Sequence, residues 1–239
     1  MHKKLRNGSV FDINIGNMNM APGAMAVPGL SQEFIRFPGA IYRLGRPLPA
    51  TATAHSYSPI KQGASTNPLR TFVWCPYIPG SIALVPTNLG HTIFTGRMSG
   101  CWLARCTVNG VGYFAHIGTA HNAQHPQTQA VKQAFKIAVR AGSIVVNSAF
   151  KPMSHIGENT LGAMSARGNF LTYGFSTAPP VAPPVGGGGA AVAAGLAGAR
   201  AATGAPPVVS RPFNAEAPKL RVVERTRVPG QPALPADFS

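Results

Sequence analysis

Residues 91–117 read HTIFTGRMSGCWLARCTVNGVGYFAHI, and this stretch decides the fold. Two apolar runs, 101–108 and 111–117, flank Asn109-Gly110. Asn-Gly between apolar runs is the strongest short-range signal for a β-hairpin, because both central residues of a type I′ turn need positive φ. A two-residue turn pairs Val108 with Val111 and, counting outward, Leu103 with His116. Side chains alternate along a strand, so Cys101, Leu103 and His116 fall on one face, while Trp102 and Cys106 fall on the other.

Outward from the hairpin, further short apolar runs are set off by turn residues. They are 71–75, 81–85, 143–146 and 169–175, with Pro79-Gly80 and Pro86 as punctuation. One segment has helical spacing, from about Gln127 to Ala141. Val131, Phe135, Ala138 and Val139 form its apolar stripe, Lys132, Gln133, Lys136 and Arg140 lie elsewhere on the wheel, Pro126 suits the entry and Gly142 the exit. The expectation is an α+β domain with a mostly antiparallel β-sheet core, one sheet or a two-sheet sandwich, and one main packed helix.

Composition divides the chain into three. Residues 1–33 are polar, rich in Gly, Met and Asn, and read as irregular. Residues 34–176 carry the apolar runs and read as the globular domain. Residues 177–239 are rich in Pro, Gly and Ala, with Lys219, Arg221, Arg225 and Arg227 near the end. That composition reads as a flexible, disordered basic tail dispensable for activity, with room for a short strand over 220–223.

The charge is lopsided: 21 Lys and Arg against 6 Asp and Glu, a formal net charge of +15. Such a chain is drawn to acidic partners. Nucleic acid fits the charge, but no recognised binding module and no tight basic–aromatic stripe accompanies it. The acids are Asp12, Glu33, Glu158, Glu216, Glu224 and Asp237, so none falls between Arg36 and Gly157. Paired-carboxylate hydrolysis has no local source of two acids, and hard-cation sites lack their oxygen ligands. Three cysteines, Cys75, Cys101 and Cys106, form no CxxC pair, which argues against a disulfide framework and a structural zinc site and for a reduced compartment. His121 and His125 are helically spaced, yet Pro126 and the missing third ligand argue against a metal pair. No metal and no cofactor is expected. No apolar run has the length of a membrane span, and residues 1–20 lack the apolar core of a standard secretory signal.

Cys101 stands out among the cysteines. Gly100 before it lets the backbone turn sharply at the strand's start, and His116 lies across the hairpin. Cys75 and Cys106 read as small buried apolar residues. With no carboxylate nearby, any Cys–His centre here needs a neutral third member.

The segment Met98-Ser99-Gly100-Cys101, with His116 one hairpin later and Thr95 in the run before, resembles the active-site motif of the cytotoxic necrotizing factor and Burkholderia lethal factor deamidase toxins. That family carries Leu-Ser-Gly-Cys where this chain has Met98, a volume-conserving exchange. The chemoreceptor deamidases have a similar Thr–Cys–His arrangement. The likeness spans residues 92–119. It implies protein glutamine deamidation: Cys101 as nucleophile, His116 as acid–base partner, Thr95 orienting the imidazole, and Ser99 and Gly100 as motif residues whose neighbouring N–H groups serve the oxyanion. It also implies a host-cell protein substrate bearing a reactive glutamine, and secretion or translocation into host cytosol by a specialised route. A transglutaminase or a thiol protease would use the same residue types.

Overall fold

The computed structural model describes residues 5–6, 9–12, 18–19, 23–48, 58–98, 100–120, 122–152, 160–177, 220–228 and 238. Within them lie fourteen strands and one long helix. In chain order the strands are β1 (Val10–Asp12), β2 (Met25–Ala26), β3 (Phe34–Arg36), β4 (Ala40–Leu44), β5 (Ser58–Gln62), β6 (Thr71–Trp74), β7 (Ile82–Pro86), β8 (Thr92–Met98), β9 (Trp102–Val108), β10 (Val111–Ile117), β11 (Ile144–Phe150), β12 (Thr160–Met164), β13 (Phe170–Thr177) and β14 (Leu220–Val228). The helix α1 (Pro126–Arg140) lies between β10 and β11. The α+β expectation holds: the molecule is mostly sheet with one main helix.

The strands form two bodies. Eight close into a barrel in the order β1-β14-β13-β12-β8-β6-β4-β5, and six form an open sheet in the order β11-β9-β10-β7-β3-β2. Most pairings are antiparallel. Three are parallel, β1 with β5, β3 with β7 and β6 with β8. The layers are therefore barrel, sheet and helix.

The central hairpin has the expected register. Val108 pairs with Val111 and Leu103 with His116, around Asn109 at φ 49° and Gly110 at φ 76°. Strand β9 is apolar on both faces because both faces are covered. Trp102, Ala104, Cys106 and Val108 pack with Val131, Phe135 and Ala138 of α1, whereas Cys101 and Leu103 pack with Val73, Ile93, Met164 and Phe170 of the barrel wall. The barrel has its own interior of Phe11, Phe72, Trp74, Phe94, Tyr173 and Phe175. Alternation along β8 thus sends Phe94 into the barrel and Ile93 and Thr95 toward the sheet. Gly162 on β12, the Cα partner of Thr95, leaves room for the incoming Leu103; a Cβ there would lie 2.2 Å from Leu103 Cδ1.

Strand β8 ends at an irregularity. Gly96 has φ 153° beside a register shift in β12, and a Cβ on it would collide with Leu161. A glycine bulge of this kind bends a strand out of its sheet. Beyond it Met98 still pairs with Thr160, and the chain then leaves the barrel and starts β9 at Trp102 in the other sheet. Helix α1 begins one residue before its expected start, with His125 Nδ1 accepting from the Gln127 N–H at 3.3 Å, and ends before Gly142 at φ 72°. Lys132, expected away from the apolar stripe, is buried. It stands beside Val131 on the helix, and a lysine stem can lie along apolar surface.

Parts of both outer segments, 1–33 and 177–239, contribute strands to the fold. In the segment read as irregular, β1 pairs with β14 and β5, and Leu5, Phe11 and Met18 enter the barrel core. In the segment read as a tail, β14 runs the length of β13 and bridges it to β1. Without it both neighbours would present unpaired backbone edges. Phe238 packs its ring 5.2 Å from that of Trp102 and 5.6 Å from that of Phe135. Of the expected flexible tail, 177–239, residues 178–219 lie outside the described residues.

Thr177 and Leu220 are Cα partners, so the chain leaves β13 and returns to β14 at the same point. Replacing residues 178–219 with a loop of about four residues should keep the fold and add about 2 kcal/mol, because closing roughly forty residues costs more entropy than closing four. Deleting 220–239 should lower Tm sharply. Denaturant titration of both variants checks this, and a chain ending at residue 219 that melts like the full protein contradicts it.

Candidate active site

The site lies where the barrel wall meets the six-stranded sheet. β10 presents His116 to this interface and β8 presents Thr95 from the opposite side. Thr95 Oγ1 and His116 Nδ1 are 2.5 Å apart, and both residues are buried. The ring of Tyr77 stacks on the imidazole at 5.2 Å between centroids with planes inclined 26°. His116 Nε2 is buried without a hydrogen-bond partner.

That last observation separates His116 from the other polar groups of the interior. Leaving a buried polar atom unpaired costs about 1–3 kcal/mol. Among the described residues the same condition holds for Arg36 Nε, Trp102 Nε1 and Thr172 Oγ1. An indole or guanidinium N–H can only donate and a hydroxyl is a poor base; the imidazole nitrogen alone in this set offers a basic lone pair to an incoming proton. Burial holds the His116 pKa at about 3, so the ring is neutral at physiological pH. For Nε2 to be the basic nitrogen, Nδ1 must carry the hydrogen and donate it to Thr95 Oγ1.

Cys101 occupies the start of β9, on the face shared with Leu103 and His116. Its sulfur is 3.5 Å from Thr119 Oγ1, just past the end of β10. Burial pushes the thiol above its ordinary pKa, and the Thr119 hydroxyl together with backbone groups of Thr119 and Gly100 pulls it partly back. Gly100 is half-exposed, and Thr119 Oγ1 stands 3.5 Å from where a Cβ would be. Ser99 lies outside the described residues.

Thus the structure joins Thr95 to His116 directly, and puts Cys101 on the same interface with Thr119, not His116, as its hydrogen-bond partner. Catalytic hydrogen bonds are often unmade before substrate arrives. Two residues of the site went unread in the sequence, Tyr77 and Thr119. Thr119 was within reach: extending the hairpin register past Ile117 sets Gly118 opposite Cys101. Tyr77 had a weaker signal, an aromatic in the Pro-rich turn after an apolar strand.

The other cysteines differ. Cys106 faces α1, and burial alone drives its thiol up to about 12. Cys75 is fully buried in the same interface layer as Cys101, where burial raises its pKa strongly against opposing contacts from the His116 backbone and the Thr95 hydroxyl. His125 caps α1, and His121 lies outside the described residues. Among the described residues no group of three His, Cys, Asp or Glu could hold a metal ion, and no helix is long and apolar enough to cross a membrane.

No protein-family model matches the chain, no curated protein matches it and no solved structure matches it.

Two outcomes follow from the ionisation of the site. Iodoacetamide added to folded protein should modify Cys101 before Cys75 or Cys106, slowly at pH 7 and with a rate still climbing past the ordinary thiol range; equal labelling of all three contradicts this. The second concerns acid. His116 binds a proton more readily unfolded, near pH 6.5, than folded, near pH 3. Its contribution to stability is complete above the unfolded value and is lost as pH falls, by up to about 1.4 kcal/mol per pH unit between the two. With only 6 carboxylates in the chain, this should be a visible part of acid sensitivity. His116→Gln should flatten the decline of unfolding free energy between pH 6.5 and 4, and parallel curves for the two proteins would refute it.

Proposed function

We propose that this protein is a cysteine-dependent protein glutamine deamidase. The observation that carries the reading is the imidazole of His116, tied at Nδ1 to Thr95 and left unpartnered at Nε2 on the face it shares with Cys101. That is the geometry of a base whose orientation is set by a third group. The third group is a hydroxyl, in keeping with the carboxylate-free stretch from Arg36 to Gly157.

The resting pair is neutral thiol and neutral imidazole. As the Cys101 sulfur attacks the side-chain amide carbon of a glutamine, its proton passes to His116 Nε2 and the carbonyl becomes an oxyanion. Backbone N–H groups at Gly100 and Cys101 are the candidate oxyanion donors. The imidazolium gives its proton to the amide nitrogen, the C–N bond breaks and ammonia leaves a thioester. Water then attacks the thioester carbon while His116 takes its proton. The tetrahedral adduct expels the Cys101 sulfur, which regains the proton from His116, and the product is glutamate. The sum is carboxamide plus water to carboxylic acid plus ammonia.

The substrate is a protein of a host cell, reached by export or translocation. The net charge of +15 favours a glutamine set among acidic residues, so turnover should fall with added salt. Peptide mapping of a host lysate exposed to wild type, Cys101→Ser, His116→Ala and Thr95→Val tests this. Wild type should convert glutamine to glutamate, one negative charge and about one dalton per site. Cys101→Ser should abolish conversion, His116→Ala should lower it roughly 10²–10⁴-fold, and Thr95→Val about tenfold, the worth of one hydrogen bond. Cys75→Ser and Cys106→Ser should retain most activity. Cleaved chains would mean a protease, amine adducts a transglutaminase, and a salt-dependent nucleic-acid complex without covalent change a binding protein.

A further inference from the structure

We infer that Thr119 is a further catalytic residue of this centre, its hydroxyl donating a hydrogen bond to the Cys101 sulfur as the thiol proton leaves, and that Tyr77 is the positioning residue that holds it there. The inference rests on the Cys101–His116 reading and adds a role that neither the hairpin nor the motif discloses.

The need for such a group follows from the surroundings of the sulfur. Cys101 sits among Met98, Leu103, Phe114 and Phe150, where negative charge is poorly solvated. Once the S–H bond breaks and the proton is on His116 Nε2, the electron pair left on sulfur needs a donor until the S–C bond forms, and again when the thioester is hydrolysed. Thr119 Oγ1, at 3.5 Å, is the side-chain partner that the structure gives the sulfur. A hydroxyl can turn to either thiol or thiolate, so it serves before and after proton transfer.

Thr119 is held on both sides. Ahead of it, Gly118 donates from its N–H to Ser81 O at 2.9 Å and accepts from the Gly80 N–H at 2.9 Å. Its hydrogen approaches the 78–81 turn so closely that a Cβ would lie 2.4 Å from Ile78 O. After it, the Ala120 N–H donates to Thr128 Oγ1 at 2.9 Å, and that hydroxyl donates to Ala120 O at 2.6 Å, fastening the segment to the first turn of α1. The Tyr77 hydroxyl donates to Thr119 O at 2.7 Å while the Tyr77 ring covers His116. Tyr77 is itself fixed by its N–H donating to Asn19 Oδ1 at 2.9 Å, and that oxygen also accepts from Trp74 Nε1. One tyrosine therefore sets the base and the sulfur's hydrogen-bond partner at once.

The test follows Cys101 alkylation against pH on folded protein, alongside glutamine conversion, for Thr119→Val, Thr119→Ser and Tyr77→Phe. Thr119→Val should move the alkylation profile to higher pH and slow conversion about tenfold or more, the worth of one lost hydrogen bond. Thr119→Ser should restore both. Tyr77→Phe keeps the ring on His116 but frees the Thr119 carbonyl, and should shift the profile in the same direction by less. If Thr119→Val does not fold, Tyr77→Phe carries the test alone. An unchanged alkylation profile in the variants overturns the inference even where wild type deamidates. A shifted profile rescued by serine, with no glutamine conversion by wild type, upholds Thr119 as the sulfur's partner and sinks the deamidase reading instead.

Discussion

The contact between Thr95 and His116 is the one on which the rest of the site depends. It joins two bodies that share no strand: a residue of the barrel wall grips a residue of the open sheet through a buried hydrogen bond. A single buried hydrogen bond is worth only about 1 kcal/mol net, so it does not hold the bodies together. The apolar layer around it does, with Leu103 seated against Gly162 and Phe150 against Phe170. What the hydrogen bond supplies is orientation. A neutral imidazole in an apolar layer has few reasons to prefer one ring angle, and Thr95 on one nitrogen with Tyr77 on one face removes the choice.

The route of the chain brings Thr95, Cys101 and His116 to one interface although they are not neighbours in sequence. β8 belongs to the barrel and β9 to the sheet, so the chain crosses the boundary between Met98 and Trp102. Thr95 is the last residue before the bulge at Gly96, and Cys101 the last before β9 begins. The return strand β10 then brings His116 to Thr95, on the face of the hairpin that Cys101 shares. The motif is thus the residue of a topological event, a strand leaving one sheet and opening the next, and its glycines are tied to the geometry of that exit.

The hairpin and its register were legible because Asn109-Gly110 permits one turn type and the strands are long enough to propagate it. That register put Cys101, Leu103 and His116 on one face and Cys106 on the other, as the structure has them. The helix was legible from its stripe and its flanking Pro126 and Gly142. The barrel was not. Its strands β1, β4 and β5 are short, and their partners are set by closure rather than by local pattern. β14 was legible only in its first four residues, 220–223; the Pro- and Gly-rich stretch before it concealed its full length and its place in the barrel. Phe238 could not be foreseen at all, since a lone aromatic near a terminus carries no periodicity. Tyr77 and Thr119 escaped because each acts from a turn, where spacing predicts little and the partners are backbone carbonyls.

The electrostatics of the centre set it apart from thiol sites that rest as ion pairs. A thiolate–imidazolium pair needs solvent, a carboxylate or a helix N-terminus to stabilise its charges. Here burial works against both charges, holding the imidazole at about 3 and the thiol above its usual value. The pair therefore rests uncharged, with Thr95 beside the imidazole and Thr119 beside the sulfur. In the proposed reaction charge would appear only transiently, and these two hydroxyls are the groups placed to meet it. A thiol held neutral in this way reacts slowly with small electrophiles at neutral pH. A carboxylate in place of Thr95 would raise the His116 pKa by favouring the imidazolium. A hydroxyl orients the ring without adding that charge, in keeping with the lack of acids between Arg36 and Gly157.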